Sequence, residues 1–198
     1  MLIPSVIEKN SNGIFNYDIY SRLLEDRIIF LPPNPIDADI ANSVIAQLLY
    51  LESKDKDKDI FLYINNPGGE VYSGMAIIDT MNFISCDVST ICVGLAASMA
   101  SLILASGTKG KRFALPHSRI MIHQPHGYAQ GQTTDILIQA NESQRVKEES
   151  VKILMNATGR TFDEVMKDVD RDNYMTSLDA KAYGIIDNVM STRPTQTK

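Results

Sequence analysis

The chain has no tryptophan, two cysteines and three histidines among its 198 residues. Cys86 and Cys92 lie in or beside apolar stretches and lack Cys-x-x-Cys spacing, so the sequence predicts buried free thiols in a reducing cytosol and not a disulfide framework. The histidines, at positions 117, 123 and 126, form no cluster with metal-ligand spacing. We therefore expect no metal and no other cofactor in this chain.

Extended runs of one residue class are also missing. The longest basic block is at 109–112 and the net charge is −5, so nucleic acid is not an expected partner. The most apolar window, residues 91–105, is shorter than the roughly 20 residues that a membrane span needs, and the amino terminus has no basic n-region. No Gly-x-x-x-x-Gly-Lys-Ser/Thr loop occurs, so we expect no ATP hydrolysis by the chain itself. These absences favour a cytoplasmic protein that does not contact membranes.

What the sequence does contain is an alternation of β-branched apolar runs with helical patterns, typical of an α/β domain with a mostly parallel sheet. The predicted strands cover residues 27–31, 59–65, 88–93, 111–115, 119–123 and 185–189. The predicted helices follow Asp37, through Leu51, and then cover 71–84, 98–105 and 133–157. The charged run at 52–59 is interpreted as a solvated loop.

The helix predicted at 133–157 is about 37 Å long, at 1.5 Å per residue. Its apolar residues form no continuous stripe, which indicates that part of the helix projects and packs on another subunit. These residues are Ile136, Ile138, Ala140, Val146, Val151, Ile153 and Leu154.

Ser98 lies in an Ala-Ala-Ser-Met run, where a predicted strand ends and a predicted helix begins. A serine at this place is a candidate nucleophile. A serine at such a place is often only a helix N-cap. A serine nucleophile needs a base and a carboxylate, and His123 ends a short apolar strand downstream. The acidic stretch that follows offers Asp168, Asp170 and Asp172, among which spacing cannot choose.

Four motifs occur in one order: Asn-Asn-Pro-Gly-Gly at 65–69, Ala-Ala-Ser-Met at 96–99, Met-Ile-His-Gln-Pro at 121–125 and Asp-Arg-Asp at 170–172. Together they resemble the proteolytic subunit of the Clp protease, the ClpP family, from Ile3 to about Val189. The resemblance implies a spiral of ββα units, an architecture shared with crotonases, with a projecting handle helix at about 125–158. It also implies an axial segment at 1–20, one peptidase domain at 21–190 and a flexible tail at 191–198.

The same resemblance implies a serine endopeptidase with Ser98, His123 and Asp172 as its triad, the choice of Asp172 resting on the resemblance alone. The subunits would form two stacked heptameric rings around a chamber, and an AAA+ ATPase would use ATP to thread unfolded proteins into it. An ion pair between Arg171 and Asp135 would join the rings.

Three further sets of residues complete the expected site. The backbone N–H groups of Gly69 and Met99 are the predicted oxyanion donors, because a glycine pair and a helix start both present free amides. Substrate would pair by strand addition with Gly69, Glu70 and Val71 on one side and with His126, Gly127 and Tyr128 on the other. By counterparts in similar proteins, the ATPase would dock on Phe61, Tyr63, Phe83, Phe113, Leu115 and Met190.

Some positions depart from the family pattern, which leaves cleavage preference open. Asn66 replaces a usual serine, Glu70 adds a charge beside the oxyanion loop, Leu95 replaces Gln or Met, and residues 126–128 replace Leu-Gly-Gly. Three alternatives stay open: a ring subunit active mainly in a mixed assembly with a paralogue, an idle structural ring subunit, and a crotonase-type acyl-CoA enzyme.

Overall fold

Nine strands and seven helices make up residues 3–10, 13–127 and 129–192, the part of the chain that the computed structural model describes. The strands are β1 (Ser5–Asn10), β2 (Gly13–Asp18), β3 (Ile28–Leu31), β4 (Ile60–Asn66), β5 (Val88–Ala97), β6 (Arg112–Ala114), β7 (Arg119–Ile122), β8 (Asn173–Thr176) and β9 (Asn188–Val189). The helices are α1 (Ile19–Glu25), α2 (Ala38–Lys54), α3 (Val71–Phe83), α4 (Met99–Ala105), α5 (Thr133–Thr158), α6 (Phe162–Asp168) and α7 (Ser177–Tyr183).

The central sheet is mostly parallel, which confirms the predicted α/β class. Its order is β3-β4-β5-β6-β9, and β7 pairs in parallel with the far end of β5. Strand β8 lies antiparallel to β7. Separately, β1 and β2 form an antiparallel hairpin that lies within the segment predicted as amino-terminal.

One face of the sheet carries the hydrophobic core. Along β4, Ile60, Leu62 and Ile64 are fully buried, whereas Phe61 and Tyr63 on the other face are only half-buried. Helix α2 contributes Val44, Leu48 and Leu51 to this core, and Ile40 on the same helix is half-buried. Helix α2 packs on α3, and α3 packs on α4. The aromatic face of β4 therefore lies opposite the face that packs on the core.

Three predicted boundaries are wrong. Residues 52–54 belong to α2 and not to the loop, since the helix continues to Lys54. Strand β5 runs to Ala97, four residues beyond its predicted end. Strand β9 keeps only two of five residues, because Gly184 is left-handed (φ 101°) and the N–H of Ile185 bonds back to Ala180 to close α7.

Helix α5 is 26 residues long, close to its prediction, and is buried only at Ser150, Val151 and Leu154. Towards its amino-terminal end Leu137 and Ile138 are 58% and 62% exposed, so this half projects from the core of its own chain. Cys86 and Cys92 are buried and free, as predicted. No helix in the described ranges is both long and apolar enough to cross a bilayer.

Candidate active site

Ser98 occupies the sharp turn between β5 and α4. Its backbone has φ 54° and ψ −126°, a conformation that costs a non-glycine residue about 1–3 kcal/mol. Its side chain makes no capping hydrogen bond to α4. The hydroxyl is therefore free for another partner, which the N-cap interpretation would not allow.

A bend in β5 directs this turn towards β7. The first part of β5 pairs with β6 through residues 90–92, and the last part pairs with β7 through residues 95–97. Between them the pairing with β4 shifts register and Gly94 takes φ 94°. Beyond the bend, the N–H of Ser98 donates to the carbonyl of Met121 at 2.8 Å, which fixes the serine beside the end of β7.

The antiparallel pairing of β7 with β8 brings His123 and Asp172 together. Ile122 pairs with Asn173, so the next residue of one strand faces the preceding residue of the other. Gln124 ties the two segments further, because its N–H donates to the carbonyl of Val169 at 2.7 Å and its side chain to that of Asp170 at 2.8 Å. The register between β7 and β8 therefore places the carboxylate of Asp172 beside His123.

The three side chains form a continuous hydrogen-bonded line. Nε2 of His123 lies 2.8 Å from Oγ of Ser98, and Nδ1 lies 2.8 Å from Oδ1 of Asp172. With its proton on Nδ1, the ring donates to the carboxylate and accepts from the hydroxyl. The imidazole is 12% exposed and Asp172 is 55% exposed in the single chain. This arrangement can remove a proton from Ser98 and stabilise the resulting imidazolium.

The other two aspartates of the acidic stretch have different partners. Oδ2 of Asp168 accepts from the hydroxyl of Tyr183 at 2.8 Å. Burial, followed by this bond, raises the pKa of that tyrosine. The carboxylate of Asp170 lies 3.6 Å from Arg171. Of these three aspartates only Asp172 forms a hydrogen bond with His123, and this geometry distinguishes it where spacing could not.

The predicted oxyanion donors lie beside Ser98. Ile36 bonds to the carbonyl of Gly68 and to the N–H of Glu70, so the N–H of Gly69 between them points away from Ile36. The N–H of Met99 opens α4 and has no acceptor within that helix. Within the described ranges neither amide donates a hydrogen bond. Two free donors therefore flank the serine.

Asn66 and Gly68 hold this loop in place. Buried Asn66 donates to the carbonyls of Pro32 and Asn34, at 2.5 and 2.8 Å, and accepts from the N–H of Gly68 at 2.7 Å. Gly68 has φ 97°, and a Cβ there would lie 2.7 Å from Cβ of Ser98. The sequence marked Asn66 only as a departure, and its anchoring role was missed because it depends on a loop more than 30 residues away.

The two segments predicted to pair with substrate are only partly free. Glu70 uses both main-chain groups, since its N–H donates to Ile36 and its carbonyl accepts from Gly74, whereas Val71 begins α3. On the other segment, His126 and Gly127 are exposed, and Tyr128 lies outside the described residues. The N–H of Glu70 is therefore not available for pairing with substrate, whereas its side chain is exposed and remains available.

Two contacts near the serine went unpredicted. The ring of His126 lies 4.8 Å from that of His123, centroid to centroid. The hydroxyl of Tyr72 donates to Oε1 of Glu142 at 2.7 Å, which links the start of α3 to α5, and this bond raises the pKa of Tyr72. Both contacts join residues from separate segments, so no local pattern could have indicated them.

The six predicted docking residues differ in exposure, and two of them line one pocket. Tyr63 and Leu115 line an apolar pocket of about 660 Å³. Phe61, Phe113 and Met190 are half-buried outside its lining, and Phe83 is 81% exposed at the end of α3. The pocket instead includes Tyr20 and Phe30, which the sequence analysis missed. The signal that could have indicated them is the register between β3 and β4. In this register Phe30 pairs with Tyr63, and the two rings stack 5.3 Å apart.

Asp135 and Arg171, predicted to pair between rings, are not joined within the chain. Asp135 lies in the first turn of α5, and Arg171 instead bonds to the carbonyl of Asp170 at 2.8 Å. Across residues 3–10, 13–127 and 129–192, no three His, Cys, Asp or Glu side chains are grouped as metal ligands. Burial raises the pKa of Cys92 to about 11, so this thiol is protonated at neutral pH.

Comparison with known protein families identifies a match that covers most of the chain. A model of the family described as Clp protease matches residues 10–193. The matched stretch includes Ser98, His123 and Asp172 and nearly all of the described fold. Because the matched family is a protease family, the finding favours the peptidase hypothesis over the crotonase-type alternative.

Proposed function

The chain belongs to the Clp protease family, and from this premise we propose that it is a serine endopeptidase, the proteolytic subunit of a compartmentalised ATP-dependent protease. One observation carries the proposal: the unbroken line from Oγ of Ser98 through the ring of His123 to Asp172, with 2.8 Å at each step. The strained turn at Ser98, whose hydroxyl does not cap α4, supports it.

In the proposed reaction, Oγ of Ser98 attacks a peptide carbonyl while Nε2 of His123 takes the hydroxyl proton. Asp172 holds the ring in the tautomer that leaves Nε2 free, and its charge stabilises the imidazolium. The same proton then passes to the leaving amine, so the peptide C–N bond breaks and an acyl-enzyme remains. Water, deprotonated by His123, releases the acid product and restores Ser98.

The attacked carbonyl oxygen becomes negatively charged, and the free amides of Gly69 and Met99 are the proposed donors to it. The removal of one such donor typically lowers kcat about a hundredfold or more. Neither step requires a metal or an organic cofactor, and we assign ATP use to a partner ATPase.

We also assign this chain to two stacked heptameric rings that enclose the active sites. Support comes from α5, because its projecting half leaves the adjacent side chains of Leu137 and Ile138 exposed to solvent. Neighbouring exposed aliphatic side chains favour contact with a partner subunit. Arg171 and Asp135 are the proposed contact between rings. In such a chamber, folded proteins are excluded by size, and an AAA+ ATPase of the Clp type must deliver unfolded chains.

The experiment is active-site labelling of the assembled protein. A fluorophosphonate probe should react with the wild type at Ser98, and Ser98→Ala should abolish both labelling and cleavage of a leucine-aminomethylcoumarin peptide, with particle size unchanged. Labelling at another serine would contradict the assignment. An inert wild type that gains activity only when mixed with a second paralogue would favour the mixed-assembly alternative, and inertness in both settings would favour the structural ring subunit.

A further inference from the structure

Glu70 presents a carboxylate directly beside the proposed oxyanion hole. It follows Gly69, and its own main chain is already used, since the N–H donates to Ile36 at 2.8 Å and the carbonyl accepts from Gly74 at 3.0 Å. The residue is exposed. The N–H of Glu70 is therefore unavailable to a bound peptide, and its exposed side chain is the group that can contact one.

The direction of this side chain is fixed by the first turn of α3. Oγ of Ser73 donates to Oε2 of Glu70 at 3.0 Å. Residues 70, 73 and 74 share one face of a helix, and Gly74 packs so closely on Met99 that a Cβ there would lie 2.1 Å from Cγ of Met99. The carboxylate thus lies on the face of α3 that meets Met99, the second proposed donor.

No cation of the described chain neutralises this carboxylate. Its one hydrogen-bond partner is the neutral hydroxyl of Ser73, and no lysine, arginine or histidine of the described ranges lies within 4.0 Å. The nearby Glu142, by contrast, is paired with Arg145 at 3.2 Å. A lone negative charge beside a site where an oxyanion develops opposes the reaction unless the substrate supplies the balancing positive charge.

Resting on the proposed peptidase function, we propose that Glu70 is a specificity-determining residue that favours Lys or Arg as the substrate residue whose carbonyl is attacked. When that carbonyl oxygen binds the N–H of Gly69, the attacked residue lies against the residue that directly precedes Glu70 in the chain. A Lys or Arg side chain is long enough to reach the carboxylate with a charge-assisted hydrogen bond. The cation also offsets the repulsion between Glu70 and the oxyanion.

The test compares three blocked tripeptide aminomethylcoumarin reporters that differ only in the last residue: Arg, Leu or Glu. The wild-type assembly should show kcat/KM in the order Arg, Leu, Glu. Glu70→Gln keeps an acceptor for Ser73, and it should lower the Arg-to-Leu ratio about fivefold, the upper range for an exposed ion pair. Cleavage of the Leu reporter should be unchanged or faster, a response that a folding defect cannot produce.

Glu70→Asp, which keeps the charge, should retain most of the Arg preference, and Glu25→Gln, which removes a distant exposed charge on α1, should leave the ratio unchanged. Raising the salt from 50 to 500 mM should weaken the Arg preference of the wild type and leave the ratio of Glu70→Gln unchanged. Equal Arg-to-Leu ratios in the wild type and Glu70→Gln, with Leu cleaved normally, would overturn the inference and leave the peptidase proposal standing. A wild type that cleaves no reporter and takes no fluorophosphonate would overturn both.

Discussion

Asp172→Asn tests the relay at its most informative point. The side chain keeps its size, but an amide can donate to Nδ1 of His123 across the 2.8 Å contact. The ring then takes the other tautomer, with its proton on Nε2, and can no longer accept the hydroxyl proton of Ser98. In relays with a buried aspartate this exchange lowers kcat about 10⁴-fold.

Asp172 is 55% exposed in the single chain, so water can compensate for part of the loss. We therefore expect kcat to fall about 10³-fold, less than the 10⁴-fold of the buried case. The measurement is kcat and KM with the leucine reporter, together with the rate of fluorophosphonate labelling, which should fall in parallel. KM should change little, because the carboxylate does not contact the peptide.

The chain offers a matched control two residues away. Asp170→Asn removes the same charge, but this carboxylate lies by Arg171 at 3.6 Å and has no contact with His123. Provided that particle size is unchanged, its kcat should stay within about threefold of the wild type, the range for surface substitutions away from the chemistry. A loss as large for Asp170→Asn, or a nearly active Asp172→Asn, would refute the assignment of the carboxylate.

Three further predictions concern the scaffold. Gly68→Ala should lower the free energy of unfolding in urea by about 3 kcal/mol and abolish fluorophosphonate labelling of Ser98. The reason is that φ 97° disfavours a residue with a Cβ, and this Cβ would also collide with Ser98. Wild-type stability and labelling in this variant would show that the loop can move. Tyr63→Ala should leave small-peptide cleavage intact while ATP-dependent degradation of a tagged folded protein fails; equal loss of both would indicate misfolding, and loss of neither would place docking elsewhere. Burial favours a raised pKa for Asp187, but the hydrogen bonds and charge of Arg112 outweigh it and hold the pKa below its ordinary value. This stabilisation is present above the unfolded-state pKa and disappears as the pH falls through the folded pKa. Asp187→Asn should therefore cost about 3 kcal/mol at pH 7 and progressively less as the pH is lowered below about 4, the unfolded-state value, and an equal loss across this range would contradict it.

Much of the fold was determined by local sequence patterns. Strands β3, β4, β6 and β7 were predicted to within one residue at each end, and three of them, β3, β4 and β7, are apolar runs that contain isoleucine. Helices α2 and α5 followed from spacing and length. The weak elements were missed: β1 and β2 are exposed, and β8 has a single buried residue, so none carries a strong hydrophobic pattern.

For the candidate site, the sequence by itself determined the nucleophile and base hypotheses, since a serine at a strand-to-helix turn and a histidine at a strand end are local features. Tertiary structure decided the rest. Asp172 was distinguished from Asp168 and Asp170 only by the register between β7 and β8, a pairing of residues 49 positions apart. Gly74, one turn along α3 from Glu70, likewise lies against Met99 only because α3 packs on α4. Local patterns specify which residue types the chain offers, whereas strand register and helix packing decide which of them meet, because these contacts join segments distant in sequence.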